Sequence, residues 1–374
     1  MKVRLGDHIR ELTVRNKASE DIPVYSVTNT QGFCRDYFGK EVASKDKSTY
    51  KIVPWGCFAY NPSRINVGSV DWQRHEDRVI VSPLYNVFDV DDDLDRQYLY
   101  YYLKSDIGIN LIKAAATGSV RDNLKFSMLC EFPINLPGIE IQRRIVENMD
   151  RVNRVRRLYE EELRKLDDLI KARFVEVFGD PRSNPFGYEK KPLGNTCKVI
   201  TGNTPSRKVP EYYGNYLEWI KTDNIVSGLL HPTKASECLS EQGAIEGRTV
   251  EENAVLMACI AGSVASIGRV CVTDRRVAFN QQINAVVPEQ YNILFLYILL
   301  QISKDYLVED INMALKGILS KSKLEEKEFL VPPLKLQNEF AEFVKQVDKS
   351  KVVVQEALDK ANLLFDSLMQ QYFG

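Results

Sequence analysis

Two stretches of the chain combine a long apolar periodicity with a complete lack of helix breakers. Residues 139–177 and 334–372 contain neither proline nor glycine. In both, apolar residues recur at alternating steps of four and three, which is the heptad seam of a coiled coil. The pattern therefore predicts two helices, each about 58 Å long at 1.5 Å per residue. Their predicted core positions are Ile145, Met149, Val152, Leu163, Leu166 and Ile170 in the first helix, and Phe340, Val344, Val347, Leu358, Phe365 and Leu368 in the second.

An apolar seam of that length has to be covered by a partner helix. We expect the two helices to pack against each other in antiparallel orientation, because the linker at residues 179–192 could hardly return the chain for a parallel pair. Arg156 and Lys351 interrupt the two seams, and in this orientation Glu356 would meet Arg156 while Glu160 would meet Lys351. Such charges would fix the register of the pair. A helix of another chain is the alternative partner, since a seam does not specify what covers it.

The two predicted helices belong to an internal repeat with an offset of 195 residues. Residues 139–142 read Ile-Glu-Ile-Gln after a Pro-Gly pair, and residues 334–337 read Leu-Lys-Leu-Gln after a Pro-Pro pair. Each copy ends in Phe-Gly, and a Leu-Gly pair stands near the start of each upstream region. A period this long indicates a duplicated domain rather than a solenoid. The sequence therefore predicts two copies of one plan, a globular domain followed by a long helix.

The amino-acid composition excludes several classes of protein. The chain holds 50 Lys and Arg against 51 Asp and Glu, so its formal net charge is −1. This balance excludes a uniformly basic nucleic-acid coat, and any DNA binding must use local positive patches. The longest apolar run, at residues 293–300, is far short of the roughly 18 residues that a membrane span needs. Balanced charge and plentiful aromatic residues also exclude an intrinsically disordered chain.

Cysteine and histidine usage points away from metal sites and disulfides. The seven cysteines include no C-x-x-C pair, and the first residues form no apolar signal core. Both features indicate a cytoplasmic protein with free thiols. The histidines, His8, His75 and His231, lie far apart and have no cysteine at ligand spacing. We therefore expect no metal site.

No catalytic motif stands out in the sequence. Residues 262–269 have the wrong spacing for a phosphate-binding loop and contain no lysine. No glycine-rich loop fits a Rossmann-type cofactor site. Asn61-Pro62 and Asn184-Pro185 both lack the second proline of the Asn-Pro-Pro-aromatic loop with which adenine methyltransferases hold a flipped base. We expect no catalytic residue and no cofactor in this chain.

Polar loop segments with aromatic neighbours are the remaining candidates for chemistry. Arg, Lys, Asn and Gln can read base edges in the major groove, and Ser, Thr and Tyr commonly hold phosphates. The candidate DNA-binding residues are Tyr60, Asn61, Arg64, Asn66, Ser82, Arg121 and Asn123 in the first globular region, and Arg207, Lys221, Asn224, Arg269, Asn280, Gln281, Lys316 and Lys321 in the second. A single exposed polar residue is more often only solvated, but a set that occurs in both copies favours binding.

Several ordered segments of the chain resemble a known family. PGIEIQRRI and PPLKLQNEF open the two helices, RFVEVFGDP closes the first, and TGNTPSRKVPEYYGNYLEWIKTDN and AFNQQINAV lie in the second globular region. In this order they resemble the specificity subunit of type I restriction–modification enzymes, over nearly the whole length. The resemblance implies an α+β fold with a pseudo-twofold internal repeat. Two mixed α/β target-recognition domains, at 1–138 and 193–333, would be separated by long antiparallel coiled-coil helices at 139–178 and 334–374, with a linker at 179–192.

The resemblance also implies a function. The chain would be a non-catalytic subunit that reads a bipartite, asymmetric site in double-stranded DNA, with one domain on each half. Its helices would dock two methyltransferase subunits, which use S-adenosylmethionine to methylate adenine N6. Restriction subunits that use ATP and Mg²⁺ would join them. These cofactors are expected on the partners and not on this chain.

Two other classes of function stay open at the level of sequence. A self-contained nuclease or methyltransferase would cut or methylate DNA as the purified chain alone. A coiled-coil adaptor that binds only proteins would show no DNA sequence preference, even with its partners assembled. A swap of residues 190–333 for those of a relative tests the modular DNA-reading subunit. One half-site should change while the other stays, and a change in both or in neither would contradict the modular reading.

Overall fold

The structure is a computed structural model that describes residues 2–35, 46–116, 123–260, 266–309, 311 and 317–374. Within these ranges the helices are α1 (Arg96–Lys104), α2 (Asp106–Ala116), α3 (Phe126–Leu129), α4 (Ile139–Phe178), α5 (Glu241–Glu246), α6 (Ile293–Ile302), α7 (Lys304–Val308), α8 (Lys321–Glu326) and α9 (Leu334–Phe373). The two long helices α4 and α9 occupy the residues predicted for them. In the described part of the chain, no helix is both long enough and apolar enough to cross a membrane.

The strands fall into two sets, one before α4 and one between α4 and α9. The first set is β1 (Lys2–Arg4), β2 (Ile9–Leu12), β3 (Ser26–Thr28), β4 (Gly32–Cys34), β5 (Lys51–Pro54), β6 (Phe58–Tyr60), β7 (Val70–Trp72), β8 (Arg78–Val81), β9 (Asn86–Val90) and β10 (Pro133–Asn135). The second set is β11 (Lys190–Pro192), β12 (Cys197–Thr201), β13 (Tyr213–Gly214), β14 (Leu217–Ile220), β15 (Cys238–Leu239), β16 (Thr249–Val250), β17 (Val255–Ala258), β18 (Val270–Val272), β19 (Val277–Phe279), β20 (Ile283–Pro288) and β21 (Glu328–Leu330).

The chain divides into two compact units. The first unit is Met1–Tyr159 with Glu356–Gly374, and the second is Glu160–Gln355. Each division falls inside a long helix, so the first part of α4 and the last part of α9 belong to the first unit, and the remaining parts belong to the second. The domain boundaries predicted from the sequence, which assign each helix whole, stay a prediction.

Both units contain a four-stranded antiparallel sheet and a separate strand pair of the same plan, whereas their other sheets differ: β3-β4 and β5-β8 in the first unit, and the five-stranded β13-β15-β14-β19-β16 in the second. The first unit contains a four-stranded antiparallel sheet in the order β2-β9-β6-β7, and the second contains β12-β20-β17-β18. In each unit a separate antiparallel pair, β1-β10 or β11-β21, joins the first strand of the unit to the strand that precedes the long helix. The internal repeat predicted from the helices therefore extends through the globular parts, where the sequences have diverged.

A buried glutamine fastens the first turn of each long helix to its unit. Gln142 and Gln337 are both 0% exposed. The backbone N–H of Asp95, the residue before α1, donates to Gln142 Oε1 at 2.9 Å, and Asn292, before α6, does the same to Gln337 at 2.9 Å. Each amide also donates to a proline carbonyl at 2.8 Å, that of Pro137 or of Pro332. The repeated Gln of the sequence motif is thus a structural anchor.

The two long helices pack in opposite directions within each unit. In the first unit, Ile145 and Met149 near the start of α4 share a core with Phe373 at the end of α9. In the second unit, Phe174 near the end of α4 shares a core with Phe340 near the start of α9. The antiparallel orientation predicted from the sequence is confirmed. Of the predicted seam positions, Ile145, Met149, Ile170, Phe340, Val344, Val347 and Leu358 are buried, and Val152, Leu163, Leu166, Phe365 and Leu368 are half-buried.

The pairing predicted for the seam charges is wrong. Lys351 Nζ lies 2.8 Å from Asp167 Oδ1 in the second unit, and Arg156 Nε donates to Asn362 Oδ1 at 2.6 Å in the first. The expected partners, Glu160 and Glu356, are exposed. The helices are shifted by about one heptad from the predicted register, because the rings of Phe174 and Phe178 both pack edge-on against Phe340, with centroids 5.6 and 5.5 Å apart.

Candidate nucleic-acid interface

In the second unit, residues 202–209 form a loop that is fixed to the sheet at several points. The backbone N–H of Asn203 donates to the carbonyl of Phe279 at 3.1 Å, and its side chain donates to the carbonyl of Glu246 at 2.8 Å. The indole N–H of Trp219 donates to the Asn203 carbonyl at 3.3 Å, and the Tyr213 hydroxyl donates to the Pro205 carbonyl at 2.6 Å. These bonds hold an otherwise irregular segment in one conformation.

The loop presents Arg207 to a carboxylate and two aromatic rings. Both terminal nitrogens of Arg207 donate to Glu237, at 2.8 and 3.0 Å. The guanidinium carbon lies 4.2 Å from the centroid of the Tyr213 ring and 5.1 Å from that of Trp219. Lys221 also pairs with Glu237, and its ammonium lies 5.2 Å from the Trp219 ring. We call Arg207, Tyr213, Trp219, Lys221 and Glu237 the Arg207 cluster.

The Arg207 cluster is charged and accessible. The side chain of Arg207 is 52% exposed, and that of Glu237 is 34% exposed. Hydrogen bonds from Arg207, and next from Lys221, lower the pKa of the Glu237 carboxyl to about 2. The carboxylate is therefore ionised throughout the physiological range, and one positive charge remains in excess over the three ionic groups. A planar cation on aromatic faces is suited to contacts with base edges and phosphates.

Other predicted residues of the second unit divide into structural and accessible ones. Asn224 and Asn280 are buried, with 7% and 6% of their surface exposed, and a DNA contact by either stays a prediction. Asn224 accepts from the backbone N–H of Lys221 at 2.9 Å, and Asn280 accepts from that of Gln282 at 3.1 Å. Both amides therefore serve to close turns, which is why they are buried.

The rest of the second set is more open to solvent. Arg269 is half-buried and donates to the Thr222 carbonyl at 3.1 Å. Gln281 is exposed and accepts a hydrogen bond from Thr204, so it borders the loop that carries the Arg207 cluster. Lys321 is exposed at the first residue of α8, where its ammonium lies 3.5 Å from Glu325. Lys316 lies outside the described residues.

In the first unit, two predicted residues line a small polar cavity of about 110 Å³. Asn61 and Arg64 share it with Asn29, Ser69 and Tyr85. Arg64 is exposed, and Asn61 accepts from the backbone N–H of Ser63 at 3.1 Å. Burial raises the pKa of the Tyr85 hydroxyl, so this group stays a neutral hydrogen-bonding partner at the cavity wall. The cavity therefore offers amide, guanidinium and hydroxyl groups on one concave surface.

Tyr60 does not line this cavity, and a DNA contact by its side chain stays a prediction. Its side chain is 0% exposed because β6 directs it into the core of the first unit. The hydroxyl donates to the Leu124 carbonyl at 3.2 Å and accepts from Asn86 at 2.9 Å. Burial raises its pKa. Asn66 and Ser82 are half-buried and Asn123 is exposed, while Arg121 lies outside the described residues.

Sequence reasoning missed Glu237. An acidic residue is not sought in a DNA-binding surface, and it stands 30 positions from the arginine that it holds. The signal that could have indicated a special site is the clustering of Tyr213 and Trp219 with Arg207 and Lys221, since exposed cations pair with aromatic faces.

Comparison with known proteins now identifies the family. The family model for the type I restriction modification DNA specificity domain matches the chain twice, over residues 9–167 and 185–360. The chain belongs to this family. The two matches correspond to the two copies of the fold, and each includes part of a long helix.

Individual relatives agree with the family. The chain is 30% identical over 120 residues to the type I restriction enzyme HindI specificity subunit of Haemophilus influenzae, a match that covers 31% of this chain and 25% of that relative. It is 23% identical over 311 residues to the MjaIX specificity subunit of Methanocaldococcus jannaschii, covering 74% and 68%. A solved structure from work on complex assembly and conformational transition of the type I R-M system has the same fold. Its TM-score is 0.57 over 100% of this chain and 97% of that chain, at 21% identity.

The family assignment decides several predictions. It confirms the resemblance stated from the sequence and the duplicated α+β fold with its long helices. It also confirms the role of a DNA sequence-recognition subunit, which in type I systems is a non-catalytic component. The individual DNA-binding residues stay predictions.

Proposed function

We propose that each unit reads one half of a bipartite, asymmetric sequence in double-stranded DNA. The observation that carries this proposal is a four-stranded antiparallel sheet that occurs in both units, while the polar surfaces of the two units differ. The second unit carries the Arg207 cluster, whereas the first carries the cavity lined by Asn61 and Arg64. Because the two units offer different side chains to DNA, each unit should recognise a different half-site. A good bidentate contact to a base contributes about 1–3 kcal/mol of discrimination, so a few such contacts in each unit suffice.

We further propose that the long helices dock two methyltransferase subunits. Four exposed apolar residues support a repeated docking face: Leu158 and Val353 stand 195 positions apart, and so do Leu169 and Leu364. Their exposed fractions are 56%, 66%, 47% and 51%. Leu158 and Leu364 belong to the first unit, and Leu169 and Val353 to the second, so each unit presents one such residue on each long helix. The same face occurring in both copies suits two molecules of one partner.

The chemistry of the assembly belongs to the partners in this proposal. Methylation of adenine N6 requires the base to be flipped into a catalytic pocket, which the methyltransferase subunits supply together with S-adenosylmethionine. Restriction subunits that use ATP and Mg²⁺ complete the complex. All seven cysteines of this chain are free thiols, which accords with a cytoplasmic assembly.

Methylome sequencing tests the function directly. Cells that express the chain with its methyltransferase partner should carry methylated adenines in one bipartite motif. Replacing residues 190–333 with the corresponding segment of a relative should change the half-site read by the second unit and leave the other half-site unchanged. A change in both half-sites, or in neither, would contradict the modular reading. The purified chain alone, with S-adenosylmethionine or Mg²⁺, should leave DNA unmodified.

A further inference from the structure

We propose that Arg207 reads a guanine in the half-site of the second unit, and that Glu237 is the positioning residue that holds its guanidinium for this contact. The inference rests on the proposed function and adds a residue pair and a base to it.

Glu237 binds the guanidinium of Arg207 end-on. Its two carboxylate oxygens accept one hydrogen bond from each terminal nitrogen of Arg207. A guanidinium has five N–H donors in one plane. The end-on contact uses one donor of each terminal nitrogen, so the parallel donors of Nε and Nη2 stay available on the adjacent side. Within the described part of the chain, Nε of Arg207 makes no hydrogen bond. Arg207 therefore retains one pair of parallel donors for a ligand.

The residues around Arg207 hold its side chain in one place. The guanidinium lies against Tyr213 and Trp219, which also contact each other edge-on, and both rings are hydrogen-bonded to the loop that carries Arg207. The carbonyl of Glu237 accepts from the backbone N–H of Trp219 at 3.1 Å, so the carboxylate is placed by the strand that carries the ring. A long side chain held in this way loses less conformational entropy on binding than a free one. A solvated surface arginine has no comparable support.

The remaining donor pair of Arg207 matches the edge of one base. Two parallel donors fit the O6 and N7 acceptors of guanine in the major groove. Adenine presents an N6 donor in place of O6, so it would leave one donor of Arg207 facing another donor. Lys221, which donates to the same Glu237 oxygen as Arg207 Nη2, is a point charge without this planar geometry and is suited to a phosphate. The cluster therefore divides into a base reader, its carboxylate support and a backbone contact.

The alternative role of the cluster is purely structural, as an ion pair that fastens the loop to the residue before β15. The test uses the full chain assembled with its methyltransferase partner and a duplex library randomised over the second half-site. Arg207→Lys keeps the charge but removes the planar donor pair, and Glu237→Gln keeps the shape but removes the ionic support. Arg276→Lys is the matched control, because Arg276 pairs with Glu251 at 3.4 Å in the same unit.

We expect Arg207→Lys to reduce the preference for one G·C pair of the second half-site by about tenfold or more, the size of a lost bidentate contact. Glu237→Gln should weaken the preference at that same pair, and Arg276→Lys should change nothing. All three variants should retain the first half-site, which shows that the complex is still assembled and folded.

Three results would overturn the inference. One is a second half-site that contains no G·C pair. Another is an Arg207→Lys variant that lowers methylation evenly over all bases, which indicates a phosphate contact. The last is a variant with unchanged base preference but a lower melting temperature, which indicates a structural ion pair. Failure of the proposed function looks different, because the wild-type complex would then show no bipartite preference at all.

Discussion

Gln142 and Gln337 make equivalent hydrogen bonds in the two units. Each buried side chain accepts from the backbone N–H of the residue before a domain helix and donates to a proline carbonyl five residues upstream. The amide thus connects the long helix to the start of the domain helix and to the short segment between the preceding strand and the long helix. Because the contact occurs twice, it belongs to the common plan of the fold and not to the DNA sequence that either unit reads.

Replacement of Gln337 by alanine should destabilise the second unit. The N–H of Asn292 and the carbonyl of Pro332 would lose their partner inside a buried site. Leaving buried polar groups unpaired in this way costs about 2–4 kcal/mol for the two groups. Hydrogen exchange of the α6 amides in the full chain measures the loss.

Gln346→Ala provides the control for this variant. Gln346 lies on the same helix and is exposed, so its replacement should change stability by less than about 0.5 kcal/mol. Equal effects of the two substitutions would show that the Gln337 hydrogen bonds contribute nothing specific.

The seam contacts of the two units should differ in their response to salt. Lys351 meets the carboxylate of Asp167, whereas Arg156 meets the neutral amide of Asn362. Double-mutant cycles with Lys351→Met and Asp167→Asn should give a coupling of about 0.5–1 kcal/mol, since Asp167 is 38% exposed. This coupling should fall between 0.05 and 0.5 M NaCl because ions screen charge pairs.

The cycle with Arg156→Met and Asn362→Ala is the comparison. A hydrogen bond to a neutral amide has little dependence on ionic strength, so its coupling should stay constant over the same range. The assignment of partners would fail if both couplings declined in parallel.

A methyl group at Gly202 should damage the second reading surface without affecting the first. A Cβ there would lie 2.2 Å from the carbonyl oxygen of Asn280 and 2.5 Å from that of Phe279. Since both obstacles are backbone atoms, the loop with the Arg207 cluster has to move. We expect Gly202→Ala to weaken methylation that depends on the second half-site. Gly138→Ala meets no atom within 4 Å and should behave as wild type.

The helices and the repeat could be predicted because their signals are periodic. A heptad seam without proline or glycine specifies helix, length and buried face together. The register of the pair could not be predicted for the same reason: sliding two heptad helices by seven residues keeps apolar positions opposite each other. The rings of Phe174 and Phe178 against Phe340 decide between these registers, and their fit depends on shape and not on periodicity.

The reading surfaces were less predictable than the scaffold. Asn224 and Asn280 have the composition of exposed loop residues, yet both amides are buried and close turns. Asparagine serves equally well as a turn-closing residue and as a base reader, so sequence cannot separate the two roles. Glu237, in contrast, was not predicted from the sequence, because its role depends on a fold that brings it to Arg207.

Asp348 should make the stability of the second unit depend on pH. Burial raises the pKa of this carboxyl, and Asp167 raises it further, whereas Lys351 and His231 act in the opposite direction. A carboxyl whose pKa is raised on folding contributes stability below its unfolded value, and this contribution is lost as pH rises through the folded pKa. Asp348→Asn, which stays neutral, should therefore be close to wild type at pH 3 and more stable than wild type at pH 7. Urea unfolding at both pH values measures the difference. The control is Asp168→Asn, because Asp168 is exposed on α4. This variant should gain no stability over wild type between pH 3 and pH 7. If it gained as much as Asp348→Asn, the burial of Asp348 would not be the cause of the gain.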